Sequence, residues 1–153
     1  MNTKSRFSKF IIGAVGVTTL LGLSACNSDK AANDALKDAG VEANVNTGGG
    51  LPAGFPKEVV TPDLKLETGI AAVGTFTLRY TSPNPAADTA AYRDALTAAG
   101  FTVSELVDHL ADPAAGGNVA FTASSAAYTV VVSAFSKDAP GGGNYMGVVV
   151  TPA

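Results

Sequence analysis

The chain has no tryptophan, one cysteine and one histidine among its 153 residues. A single cysteine excludes any disulfide within the chain, so the fold must rest on its core alone. With His109 the only imidazole, a metal site built on two histidines is excluded. There is no G-x-S-x-G motif to present a nucleophilic serine, and Gly141-Gly142-Gly143 lacks the lysine that completes a phosphate loop. Runs of lysine or arginine are missing as well, which argues against nucleic acid as a partner. The usual parts of an active site are therefore absent, and the sequence reads as a non-enzymatic protein without a cofactor. Nor is there an apolar run long enough to remain in a membrane. The best, residues 10–23 (FIIGAVGVTTLLGL), has 14 residues, against the ~20 needed to span a bilayer.

What is present at the N-terminus gives that run a different meaning. Lys4, Arg6 and Lys9 precede it with no acidic residue, and Leu23-Ser24-Ala25-Cys26 follows. Positive start, uncharged middle and small residues at the end form the pattern of an export signal. An ordinary signal peptidase prefers a small residue where Leu23 stands. An aliphatic residue, two small residues and then cysteine resemble instead the lipobox of bacterial lipoproteins. The resemblance implies cleavage before Cys26 and a diacylglyceryl thioether on its sulfur, with palmitate-type acyl chains. It places the protein at the cell membrane, lipid-anchored on the extracytoplasmic side; an anchor and a tether together with the missing catalytic set then point to contact with an envelope protein. One acyl chain gives only marginal binding at ~0.8 kcal/mol per methylene, so two chains make such an anchor durable.

Loss of residues 1–25 leaves 7 basic and 13 acidic residues, a net charge of −6. An acidic chain gains nothing from anionic nucleic acid or anionic lipid. The 128 remaining residues suffice for one domain. Residues 26–54 read as a tether. Leu36, Val41 and Val45 are its only large apolar residues before Leu51, and Gly48-Gly49-Gly50 forms a joint. A short helix starting at Ser28 and stopped by Gly40 would be marginal on its own. As a coil, the 28 residues after Cys26, residues 27–54, span ~30 Å. The domain is expected over residues 55–153.

Within it, residues 64–73 and 75–80 predict two strands around a turn at Gly74; Phe76, Leu78 and Tyr80 alternate with Thr75, Thr77 and Arg79. Asn84 then caps a helix with Pro85 in its first turn and Gly100 at its end. Leu96 and Phe101 stand at the positions whose contact accompanies a Schellman ending. Residues 101–106 read as a strand, or, from Ser104, as a short helix ended by Pro113. Loops are expected at 114–118 and 137–144. Three strands, 119–123, 128–135 and 145–151, close the chain, and Val130-Val131-Val132 and Val148-Val149-Val150 predict strands buried on both faces. The whole predicts an α+β fold: an antiparallel sheet of five to six strands with one helix packed on one face. Phe55-Pro56-Lys57-Glu58-Val59-Val60, the hairpin, and Tyr92-Arg93-Asp94-Ala95-Leu96 through Gly100-Phe101 resemble the small C-terminal domain of uncharacterised actinobacterial-type lipoproteins. That resemblance carries structural motifs and no functional residues.

Three sets of residues remain as candidates. Glu105, Asp108, His109 and Asp112 would share one side of a helix and could then ligate a divalent metal; as a strand or loop they are solvated charge, and no metal is assigned to them. Phe76, Leu78, Leu96 and Val130 could line a pocket between helix and sheet, making the protein a carrier of a small apolar ligand or lipid. Tyr80, Tyr92, Tyr128 and Tyr145 read as packing residues, and Val131, Phe135, Val148 and Val150 as the residues whose exposure would mark a contact surface.

Overall fold

A computed structural model describes residues 28–112, 117–137 and 143–153. The leader, the lipobox and Cys26 lie outside the described residues, as do parts of the expected loops at 114–118 and 137–144. The elements run α1 (Ser28–Asp38), β1 (Ala43–Asn46), β2 (Leu66–Ala72), β3 (Thr75–Thr81), α2 (Pro85–Ala98), β4 (Thr102–Val103), β5 (Val107–Asp108), β6 (Asn118–Ser124), β7 (Tyr128–Phe135) and β8 (Tyr145–Pro152). All eight strands among the described residues form one antiparallel sheet, in the order β1-β2-β3-β8-β7-β6-β4, with β5 also on β6. The fold is α+β, as the sequence predicts. Eight strands and two helices replace the expected five to six and one.

The additional strands arise where the apolar signal is weakest. Residues 43–46, expected within a tether, pair with β2 as Ala43↔Ala72 and Val45↔Ile70, so the sheet begins before Phe55. Neither β4 nor β5 exceeds two residues, and both lie on β6. Between them the Ser104 hydroxyl accepts from the Thr122 N–H at 2.9 Å, and the Ser104 N–H donates to the Thr122 carbonyl at 2.8 Å. A side-chain oxygen thus stands in for a ladder partner and bends the chain. The strand expected over 101–106 is accordingly two residues long, and the helical alternative does not form.

α2 follows its sequence signals closely. The Asn84 side chain accepts from the Ala87 N–H, and Asp88 accepts from the Asn84 N–H at 3.0 Å and the Ser82 hydroxyl at 2.7 Å. At the other end Phe101 N–H reaches the Leu96 carbonyl and Gly100 N–H the Thr97 carbonyl, both at 3.0 Å. Those are the two bonds of a Schellman ending, with Gly100 left-handed at φ 88°. Tyr92 and Leu96 point from α2 into the core against Phe121, Val130, Val132 and Val148. Residues 51–65 strap the rest of that face. Phe55 meets Phe76 edge-on at 5.4 Å, and the Tyr92 hydroxyl donates to the Val60 carbonyl at 2.9 Å. The strap needs Gly69: a Cβ there would fall 2.8 Å from the Pro52 ring.

Candidate functional site

One face of the sheet lies under α2 and the strap; the other is open among the described residues. Pairing register places Val45, Ile70, Thr77, Val149, Val131 and Thr122 side by side across the open face. Ile70 is 37% exposed and Val131 43%, which corrects the expectation that Val130-Val131-Val132 is buried on both sides. Val130 and Val132 do face the core. Val148 and Val150, offered as contact residues, are fully buried beneath the helix layer, while Val149 between them is half-buried on the open face. The stripe is therefore narrower than the sequence implied. Strand alternation decides this, because successive side chains must point to opposite faces.

Beside the stripe, Arg79 pairs in register with Gly147. Gly147 contributes no side chain, and the Arg79 guanidinium lies over the Tyr145 ring, 4.1 Å from its centroid. Tyr145 in turn stacks on Phe135 at 5.0 Å. Glu67, at the β2 bulge, accepts from Arg79 Nε at 3.1 Å and from the Thr81 hydroxyl at 2.8 Å. These are the charged side chains among the strand residues of this face, and they neutralise each other. Among the described residues this face therefore carries an apolar stripe, threonines and an aromatic–arginine corner.

The acidic cluster does not assemble. Glu105, Asp108, His109 and Asp112 are all exposed, on a short strand and the turns around it. Asp108 accepts from the Leu110 N–H at 3.0 Å, which is local turn chemistry. Among the described residues no group of three or more His, Cys, Asp or Glu side chains could hold a metal. Of the residues expected to line a pocket between helix and sheet, Leu78, Leu96 and Val130 are at most 1% exposed and Phe76 is 8% exposed, and all four belong to the core cluster.

Sequence reasoning missed two clefts beside the strap. One, of about 350 Å³, is lined by Gly49, Leu51, Pro62, Leu64, Leu66 and Tyr80. The other, of about 230 Å³, lies where Pro62 and Leu64 face Ala91 and Tyr92 of α2. Pro62 and Leu64 line both. Burial raises the pKa of the Tyr80 and Tyr92 hydroxyls above the ordinary tyrosine value, with the nearby Tyr80 adding to the shift of Tyr92. Both therefore stay neutral at physiological pH. Neither is suited to act as a base.

No family model, curated protein or solved structure matches this chain. Among the described residues, no helix is long and apolar enough to cross a membrane.

Proposed function

We propose that the protein is a lipid-anchored, extracytoplasmic lipoprotein of the cell membrane that acts as a non-enzymatic interaction module, presenting its open sheet face to an envelope protein. The observation that carries the anchor is Leu23-Ser24-Ala25-Cys26 behind a basic, then apolar, leader. Support for the contact role comes from the exposed Ile70–Val131 stripe and its charge-neutral border. The anchor confines the module to a surface, where local concentration lets a weak contact suffice.

The two halves are tested together in producing cells. A palmitate analogue should label the wild-type chain and not Cys26→Ser, which should leave the membrane fraction. A photo-crosslinking residue at position 131 should capture one discrete envelope protein that the same residue at position 57 does not. Membrane retention and normal processing of Cys26→Ser would end the anchor reading; identical crosslinking at both positions would end the contact reading.

A further inference from the structure

We propose that the N-terminal end of α1 and the residue 47–51 loop form a membrane-facing surface that rests against the headgroup–acyl boundary of the bilayer. This inference rests on the lipid-anchor reading above and concerns where the domain sits once anchored. α1 begins at Ser28, two residues after Cys26. Two Cα steps span at most ~8 Å, so the start of α1 is held close to any lipid on that sulfur.

The rest of the domain follows because α1 is clasped to the sheet edge. The Asn33 carboxamide accepts from the Val45 N–H at 2.6 Å and donates to the Val45 carbonyl at 3.0 Å. It takes the place of a further strand. The Asp29 carboxylate accepts from the Thr47 N–H at 2.8 Å and also from the Thr47 hydroxyl. With both clasps closed, the ~30 Å reach of a free coil is lost, and the start of α1 lies beside the 47–51 loop.

That loop has the composition such a position requires. Thr47-Gly48-Gly49-Gly50-Leu51 carries no charge to desolvate, and Leu51 is 45% exposed. An apolar side chain next to an anchored end gains by entering the boundary region, as interfacial segments do. Gly49 abuts the Leu66 carbonyl, its ideal Cβ lying 3.4 Å away. Val73, 85% exposed, is seven residues further along β2 and its turn, ~23 Å at strand rise. The two sites thus mark near and far ends of one strand.

The chain has no tryptophan, so a single introduced indole reports alone. Full-length Leu51→Trp and Val73→Trp proteins would be purified with their lipid from producing cells and reconstituted in phosphatidylcholine vesicles containing brominated acyl chains. Quenching at residue 51 should exceed that at residue 73 at least twofold, with a blue-shifted emission. Adding Asp29→Ala and Asn33→Ala should bring residue 51 down to the level of residue 73 while the protein still co-sediments with vesicles. Equal quenching at the two sites in vesicle-bound protein overturns the surface and leaves the anchor standing, as does quenching at residue 51 that survives the double substitution. Failure of Leu51→Trp to co-sediment overturns the anchor reading and this surface with it.

Discussion

Two tyrosines on facing elements illustrate how little separates a useful polar group from a costly one. Tyr92 donates its hydroxyl to Val60, whereas the Tyr80 hydroxyl is buried and finds no hydrogen-bond partner among the described residues. Removing an unsatisfied buried hydroxyl relieves a desolvation cost; removing a satisfied one leaves its acceptor stranded. Tyr80→Phe should therefore be neutral or stabilising by up to ~1 kcal/mol, and Tyr92→Phe destabilising by about the same amount, in urea unfolding. Both also bear on pH. Burial raises their pKa, so the folded protein retains protons that the unfolded chain releases near pH ~10. Their contribution is level below that pH, and stability falls as pH rises past it. Thermal melts between pH 7 and 11 should show that decline, and the Tyr80→Phe/Tyr92→Phe double variant should show a smaller one.

At the scale of elements, α2 was legible in the sequence because its start, stripe and stop all agree: Asn84 and Pro85, then Tyr92 and Leu96, then Gly100 and Phe101. Gly100 has open space around it, so Gly100→Ala meets no clash and only the left-handed conformation resists it. The expected loss is ~1–2 kcal/mol in chemical unfolding. The β2–β3 turn shows the opposite case. The sequence marks Gly74, but Val73 is also left-handed, at φ 48°, where a β-branched side chain is strained. Two-residue hairpins with both residues at positive φ favour Asn-Gly. Val73→Asn should raise the unfolding midpoint by the equivalent of ~1 kcal/mol, and an unchanged midpoint would count against strain at this turn. The edge strands stayed hidden for a related reason. β4 and β5 are two residues each, and β1 carries two asparagines in four positions, so periodicity has nothing to register. Their pairing is set by the neighbours they cover. The candidate sites divide the same way: the burial of Val130 and Val132 was readable, while the open position of Val131 depends on which face α2 and the strap cover.

For the whole molecule, the question is whether residues 28–46 belong to the fold or merely precede it. An uncovered sheet edge offers unpaired N–H and carbonyl groups to other chains, and proteins blunt such edges with charge, bulges or a covering element. At one end of this sheet β4 and β5 sit on β6; at the other β1 covers β2, and α1 bonds to β1 through Asn33 and to Thr47 just beyond it through Asp29. Had this segment been only a spacer, a chain starting at residue 51 would melt like one starting at residue 28. The clasp and the β1–β2 pairing predict otherwise. The shorter chain loses a strand from a modest core and exposes β2 along Gly69, Ile70 and Ala71. Its melting temperature should fall by ~4–8 °C for each kcal/mol lost, and it should elute as concentration-dependent oligomers in size exclusion while the longer chain does not. Matching melts and elution would return the segment to the role of a spacer and remove the structural basis for a domain held close to its anchor.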